Sequence, residues 1–538
     1  FAEVPPADGV AAGQPVTGAE DSASQSPPSG ISPARIRPAA GSFRELWQVA
    51  LPLILSSGSI SLLHFMDRVF LTWHSKFDLA AVTPAGMLHW TFMSVAIGTI
   101  TYVNTFVAQY EGAGRRDRVV SAVWQGVFLS LGAGLLFMIV TPLTPVLFGL
   151  IGHQPEVQVR EIAYFSVFCV GAVPITVSAA LSCFFSGRGE TRTVMYVNFA
   201  VVAVNGVLDA VLIFGFGPIP EMGIRGAAIA TVLASTCGLV LYGLLMARAA
   251  RLEGWPVWEQ CRICLPLLRR LLRYGLPTGF QMLADIAGIS MFIFMVGLLG
   301  TDELAATNLA FNLNTLAFIP MMGIGTAVMT LVGRRIGDGR PEIAVRTTWM
   351  ACGLGSVYML SFAAIYLLFP RQLLYLYSVN CPAEEFAPVC DTAVVLLRFV
   401  ALYSFFDGLA IVFGSAVRGA GDTRFSLIFT SLTAWLVMVV PTWIAWRFYE
   451  GSLAISWSAC AAYIVLLGIG FLIRFQMGQW KQMRVIEDDP SENQGTPGPI
   501  MADSSPADSS VPGPAGIPTP AVVSSISPEP EAAGGLLC

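Results

Sequence analysis

Charged residues are scarce in this sequence of 538 residues. They make up 12% of the chain, whereas hydrophobic residues make up 55% and the mean hydropathy is +0.67. These values exclude a soluble protein of this size and indicate a polytopic membrane protein. The formal net charge of −5 does not point to a partner, because the acids crowd into the two ends and the bases lie in short loops. We expect membrane lipid around the chain and no nucleic acid as a partner.

Motifs for catalysis and metal binding are also missing. The chain has four histidines and no HExxH or GxSxG on a candidate spanning helix, which argues against a membrane-embedded enzyme and predicts no catalytic residues. The ten cysteines do not cluster, and the CxxC of Cys261 and Cys264 has no second pair near it. Cys381 and Cys390 flank an acidic loop that we expect outside the membrane, where a disulfide between them is possible.

Both ends of the chain lack the apolar residues that a packed core needs. Residues 1–42 and 483–538 are rich in Pro, Ala, Gly and Ser, and both are predicted to be disordered tails. The N-terminal tail has no apolar h-region, so we expect transmembrane segments rather than a cleavable signal to direct the chain to the membrane.

Apolar runs long enough to cross a bilayer of ~30 Å predict an all-α membrane protein with twelve transmembrane helices. The predicted cores are 46–72, 79–109, 118–141, 159–183, 193–215, 224–249, 269–298, 305–333, 344–368, 391–416, 424–447 and 451–474. Most arginines, among them Arg115, Arg192, Arg340 and Arg424, follow even-numbered helices. The positive-inside rule then predicts both termini in the cytoplasm.

The sequence repeats itself. VAQYEGAGR at 107–115 matches VGRRIGDGR at 332–340, GRGETR at 187–192 matches GAGDTR at 419–424, and Leu51-Pro52 matches Leu276-Pro277. The repeats predict an N-terminal six-helix bundle at 43–250, a cytoplasmic linker at 251–268 and a C-terminal six-helix bundle at 269–482. Six helices return the chain to the same side, so the two bundles are expected to be related by a pseudo-two-fold axis along the membrane normal. The Gly-x-Gly loops are interpreted as tight turns, since no strand precedes them.

The fifth helix carries the most informative polar residues. Asn205 and Asp209 lie one turn apart in VVAVNGVLDAVLIF, so they share one helix face. A buried carboxylate in a bilayer needs a compensating proton, cation or polar cavity. Asp67 on the first helix and Thr231 on the sixth complete a set of hard oxygen ligands that suits Na⁺, while the carboxyls alone could carry protons. The alternative is a hydrogen-bonded pair that only holds helices together.

Two further acids lie inside apolar runs of the second half. They are Asp285 on helix seven and Asp407 on helix ten. An intramembrane acid is by default a candidate functional residue, and pairing of Asp407 with Arg398 is the structural alternative. The sequence therefore predicts a second acidic site in the C-terminal bundle.

Together these motifs resemble the multidrug and toxic compound extrusion (MATE) family of transporters, in its NorM-like branch. The resemblance covers about Phe43 to Gln482 and depends on LPLIL with Asp67, on VAQYEGAG, on GRGETR before the Asn205 helix, on YGLP with Asp285 and on YSFFDGLAIVFGSAVRGAGDT. It implies a twelve-helix antiporter, acting as a monomer, that rocks between inward-open and outward-open states. Such a protein exports cationic or amphipathic organic compounds in exchange for Na⁺ or H⁺ and needs no other cofactor.

The resemblance also assigns roles to residues. Asp67, Asn205, Asp209 and Thr231 match the cation or proton site of the family, with Asp67, Asn205 and Asp209 as possible Na⁺ ligands. Asp285 and Asp407 match acids implicated in coupling or in binding the charge of the substrate. Arg68 departs from the small polar residue usual after the first-helix acid. A lipid-linked sugar flippase of the same superfamily is the alternative, although basic rather than acidic residues usually line such cavities.

Overall fold

The computed structural model describes residues 39–378, 383–448 and 452–487. Eleven helices in this part are long and apolar enough to span a membrane, and a bent helix pair makes the twelfth span. The spans are α1 (Phe43–His74), α2 (Lys76–Thr101 and Val103–Gly112), α3 (Arg116–Val140, continued by Thr144–Ile151), α4 (Pro155–Val170 and Ala172–Gly187), α5 (Thr191–Phe214), α6 (Ile224–Glu253), α7 (Leu265–Gly297), α8 (Thr301–Gly337), α9 (Pro341–Leu368), α10 (Ala383–Ala420), α11 (Thr423–Thr433, Ala434–Val439 and Val440–Phe448) and α12 (Leu453–Gln476).

The twelve predicted cores lie on these twelve spans to within a residue or two at the ends. The all-α, twelve-helix prediction is therefore confirmed. The sequence did not reveal the 47° bend of α4 between Val170 and Ala172. Its cause is local: Pro174 has no N–H to bond the carbonyl of Val170, and Gly171 lets α6 approach so closely that a Cβ there would lie 2.2 Å from Val232 Cγ2.

The repeated Gly-x-Gly loops are tight turns at helix ends. After α2, Gly114 has φ +73° and the N–H of Arg115 donates to the Tyr110 carbonyl at 3.0 Å. After α8, Gly339 has φ +69° and the N–H of Arg340 donates to the Arg335 carbonyl at 2.9 Å. This is the bonding of a Schellman turn, in which glycine tolerates the left-handed conformation. The two halves therefore turn in the same way at equivalent positions.

The two bundles contact each other on one side of the molecule, the closed side, where the described chain begins and ends. Asn104 Nδ2 on α2 donates to Thr330 Oγ1 on α8 at 2.9 Å, and Gln109 Nε2 donates to the Gly419 carbonyl at 3.1 Å. A buried ion pair joins Glu45 at the start of α1 to Arg335 at the end of α8. These bonds hold α1 and α2 of the N-terminal bundle against α8 and α10 of the C-terminal bundle.

On the opposite side the bundles separate. The face of α8 that packs on α1 at Gly323 continues one helical stripe towards Asn312 and Leu316, and both of these side chains are exposed. Asn312 is polar, and its Nδ2 finds only the Asn308 carbonyl of its own helix, at 2.9 Å. Since this face is packed at Gly323 and exposed at Leu316 and Asn312, we interpret the space between the two bundles as a cleft that opens opposite the closed side.

The C-terminal segment 483–487 differs from the prediction of a disordered tail beginning at 483. Val485 and Ile486 are buried in the core of the N-terminal bundle, and the Val485 N–H donates to Gln109 Oε1 at 2.9 Å. The bonds of Glu487 with Arg115 and Arg270 also hold the segment in place. The connection between α6 and α7 is residues 254–264, shorter than the predicted linker, because both helices extend beyond the membrane. Within it Cys261 is exposed and Cys264 is buried, and both thiols are free.

Candidate functional site

Helices α1 and α5 are held together on both sides of the predicted site. Asn198 Nδ2 on α5 donates to Ser56 Oγ on α1 at 2.6 Å. Further along, a Cβ at Gly206 would lie only 2.3 Å from Met66 Cε, so the glycine makes room for the neighbouring helix. This close approach brings the polar residues of the two helices face to face.

The structure places Asp67, Asn205 and Asp209 in one buried group. Their exposed fractions are 5%, 1% and 0%. Asn205 Nδ2 donates to Asp209 Oδ2 at 2.9 Å, and the Asp67 carboxyl lies close to Asp209 and Asn205. Two residues one turn apart on α5 and one residue of α1 thus form a single cluster.

The chemistry of this cluster favours a small cation. Two ionised carboxylates in contact repel each other, so a proton or a cation has to lie between them. Oδ1 atoms of Asp67, Asn205 and Asp209 are buried and have no hydrogen-bond partner among the described residues. Unpartnered carboxylate and amide oxygens fit Na⁺ or a proton. The described residues contain no group of three His, Cys, Asp or Glu side chains of the kind that binds a transition metal.

Thr231 is not joined to this cluster by a bond in the described structure. Its Oγ1 donates to the Ala227 carbonyl of its own helix, α6, at 3.1 Å. The hydroxyl lies on the helix next to α5 and is half-buried. Its lone pairs are free to accept, but the structure gives it no direct role with Asp67 or Asp209.

Arg68 does not neutralise its neighbour. The Arg68 side chain is exposed whereas Asp67 is buried, and the described part of the chain shows no ion pair between them. Successive residues on a helix point about 100° apart, which explains the separation. Asp67 instead lies close to Asp209, His64 and Asn205.

The two acids of the C-terminal bundle share a neighbour. Asp285 on α7 and Asp407 on α10 both lie within electrostatic range of Tyr463, a buried residue of α12. Asp285 Oδ1 has no hydrogen-bond partner in the described residues, and the nearby charge that acts on it is Arg418. No direct bond joins the two acids in this part of the structure, so they form a looser group than the N-terminal cluster.

Several residues near these sites were not identified from the sequence. Tyr164 on α4 lies within electrostatic range of Asp67 and Asp209, and Arg418, in the last turn of α10, lies within electrostatic range of Asp285. Glu45 follows Ser42 with the spacing of a helix cap, and indeed its N–H bonds Ser42 Oγ at 3.2 Å. Because this capping spacing already accounts for Glu45, its ion pair with Arg335 was not predicted. Cys381, one half of the disulfide left open above, lies outside the described residues.

Comparison with known proteins assigns the family. A family model described as MatE matches residues 52–212 and 277–444. The chain belongs to the MatE family. The two matched stretches of this MatE chain begin at Pro52 and Pro277, the prolines that the internal repeat pairs with each other. The resemblance inferred from the motifs is therefore confirmed.

Relatives of this MatE chain extend over most of its length. It is 26% identical over 452 residues to a probable multidrug resistance protein NorM from Thermotoga maritima, covering 82% of this chain and 94% of the relative. It is 29% identical over 413 residues to a probable multidrug resistance protein NorM from Xanthomonas campestris, covering 75% and 87%.

Solved structures share the fold. A MOP superfamily transporter from Pyrococcus furiosus aligns with a TM-score of 0.73 at 20% identity, covering 82% of this chain and 97% of that one. A multidrug resistance MATE family transporter in an outward-facing conformation aligns with the same TM-score, identity and coverage. At this identity the likeness shows the fold alone, a two-bundle arrangement of twelve helices.

Proposed function

We propose that this protein is a secondary antiporter that exports cationic or amphipathic organic compounds in exchange for Na⁺ or H⁺. The observation that carries the proposal is the proximity of Asp67 and Asp209, two buried carboxyls beside Asn205. The curated relatives are named multidrug resistance proteins, which supports the direction of transport and the class of substrate.

Helix α1 provides the link between ion binding and transport. It carries Asp67 in the cluster, Ile54 against Gly323 of α8, and Glu45 in the ion pair with Arg335. A Cβ at Gly323 would lie 2.6 Å from the Ile54 nitrogen, so α1 and α8 touch backbone to backbone. An ion or proton that changes the distance between Asp67 and Asp209 therefore moves α1, a helix that closes one side of the cleft. Only such differential binding shifts the balance between conformations.

Asp285 and Asp407 are proposed to take part in coupling or to bind the positive charge of the substrate. Their half-buried positions near Tyr463 support this, because a carboxylate beside an aromatic ring favours an organic cation. Thr231 is proposed as a further ligand once the α5–α6 contact adjusts.

The closed side is proposed to face the cytoplasm of a bacterium, with the protein as a monomer in the inner membrane. The arginines near helix ends on this side, among them Arg116, Arg269 and Arg340, support the orientation by the positive-inside rule. The cleft would then be open to the outside, ready to release substrate.

Neither the flippase nor the membrane-embedded enzyme gains support as an alternative. A flippase for lipid-linked sugars would be expected to place basic groups around the buried site, whereas the N-terminal cluster consists of two carboxyls and an amide. A non-enzymatic role is proposed because the relatives are named as multidrug resistance proteins.

The proposal predicts that Asp67→Asn and Asp209→Asn each abolish export. An amide cannot release a proton and binds Na⁺ more weakly than a carboxylate, so the exchange loses its driving ion. Efflux of a fluorescent organic cation from cells expressing each variant measures the loss.

Asp302→Asn is the matched control, since Asp302 is exposed at the start of α8. It should export at the rate of the unaltered protein. If either cluster variant, present in the membrane at normal amount, exported the dye at an unchanged rate, the assignment of the ion site would be wrong.

A further inference from the structure

Five arginines surround a cavity at the closed side that plays no part in the proposed transport cycle. The cavity has a volume of about 640 Å³ and lies between the beginnings of α7 and α11 and the segment 483–487. The arginines in its lining are Arg269, Arg270, Arg273, Arg424 and Arg484. Tyr274 and several apolar side chains complete the walls.

Among the described residues, acidic side chains form ion pairs with only part of this charge. Glu487, beside the cavity, accepts hydrogen bonds from Arg270 at 2.9 Å and from Arg115 at 2.8 Å, so its charge is shared between the two bundles. Arg269, Arg273 and Arg424 form no ion pair with any residue in the described ranges. A strongly basic cavity of this kind fits an anion with several oxygen acceptors, such as a phosphate group.

The helix faces leading away from the cavity are apolar. On α7, Arg269 and Arg273 are followed on the same face by Leu276 and Phe280, which are 37% and 48% exposed. This face points away from α2, which packs at Gly275 and Gly279 on another side of the helix.

Helix α11 repeats the pattern. Arg424 is followed at four-residue steps by Ile428 and Leu432, which are 58% and 54% exposed. Both helices thus place arginines at the membrane surface and exposed apolar side chains one to three turns deeper.

We propose that this cavity binds the headgroup of an anionic phospholipid, with its acyl chains along the exposed apolar faces of α7 and α11. A free phosphate ion would use the arginines but not the apolar faces, whereas a phospholipid uses both. Basic pockets between helices at the membrane surface suit anionic headgroups for the same electrostatic reason.

The bound lipid would also stabilise the closed side. Arg484 belongs to the segment whose next two residues, Val485 and Ile486, are buried in the core of the N-terminal bundle, whereas Arg269 and Arg424 belong to the C-terminal bundle. A headgroup bound by Arg484, Arg269 and Arg424 therefore links the docked segment to the C-terminal bundle.

The test is native mass spectrometry of the purified full-length protein titrated with phosphatidylglycerol or phosphatidylcholine. We expect phosphatidylglycerol to bind more tightly, and the variant Arg269→Gln/Arg273→Gln/Arg424→Gln to bind it on the order of tenfold to a hundredfold more weakly. Binding of phosphatidylcholine should not change.

The matched control is Arg192→Gln/Arg248→Gln/Arg251→Gln, which removes three exposed arginines from helix ends on the same side but outside the cavity. It should keep the affinity for phosphatidylglycerol. Equal affinity for the two lipids, or an equal loss in both triple variants, would overturn the proposal. Displacement of phosphatidylglycerol by millimolar inorganic phosphate would also overturn it, since the site would then recognise a free anion. A thermal unfolding curve for each variant shows whether it is folded.

Discussion

At the scale of single residues, the Asp67 and Asp209 carboxyls are the groups whose placement is hardest to explain without a function. Burying a charge in a membrane protein costs several kcal/mol unless it is compensated. The hydrogen bond from Asn205 compensates one oxygen of Asp209, and Oδ1 atoms of both acids keep no partner in the described residues. A bundle that needed only helix adhesion would be served better by neutral side chains.

Glu487 allows a prediction about pH outside the membrane. Burial alone would raise the pKa of Glu487, but the hydrogen bond from Tyr110 and the charges of Arg115 and Arg118 hold this pKa below its ordinary value of 4.5. A lowered pKa means that ionised Glu487 stabilises the folded, closed structure above about pH 4.5. That stabilisation is lost as the pH falls through the lowered pKa.

We therefore expect Glu487→Gln to have a lower apparent Tm than the unaltered protein near neutral pH and the same Tm in strong acid. Thermal unfolding of both proteins in detergent between about pH 7 and pH 3 measures this difference. A difference that stayed constant over the whole range would show that the Glu487 charge is not the cause.

At the scale of helices, the closed side depends on glycines at equivalent repeat positions. A Cβ at Gly337 on α8 would lie 1.9 Å from the Gln109 carbonyl oxygen, and a Cβ at Gly112 on α2 would lie 2.0 Å from the Arg334 carbonyl oxygen. Both obstacles are backbone atoms, which cannot move aside as a side chain can. Each half of the repeat thus supplies one glycine to the contact between the bundles.

Gly337→Ala should therefore open the closed side, because the overpacking costs about 1–3 kcal/mol or more in this conformation. Spin labels at Asp117 and Arg340 in a cysteine-depleted background should report a longer distance between α3 and α9. Gly243→Ala on α6 is the control, since nothing lies within 4 Å of a Cβ there. An unchanged distance in Gly337→Ala would mean that the bundles do not meet as described.

The sequence predicted the elements well because each apolar run had to span the membrane by itself. It also predicted that Asp67 and the Asn205 helix belong together, first from the hard oxygen ligands that they supply and then from the resemblance to a family. The Glu45–Arg335 pair and the docking of Val485 and Ile486 were not predicted, since each joins residues hundreds of positions apart and neither has a local pattern. The bend at Gly171 was not predicted, because it lies inside a continuous apolar run.

At the scale of the whole molecule, the two bundles form a cleft that is closed at one end and open at the other. The contacts of α1 and α2 with α7, α8 and α10 lie on the closed side, and exposed Asn312 marks the open end of α8. Asp67 and Asp209 both belong to the N-terminal bundle, and Asp285 and Asp407 both belong to the C-terminal bundle. Coupling between ion and substrate must therefore pass through helices that belong to both a cluster and the closed side, and α1 is such a helix.

The most direct test of this account is transport by the purified protein in liposomes with an imposed ion gradient. We predict that a gradient of one ion alone, either Na⁺ or H⁺, drives transport of a fluorescent organic cation. The organic cation should accumulate on the side where the ion is more concentrated, because the two move in opposite directions. The same gradient should drive none through Asp209→Asn. Absence of accumulation under both gradients in the unaltered protein, or undiminished accumulation in Asp209→Asn, would contradict the account.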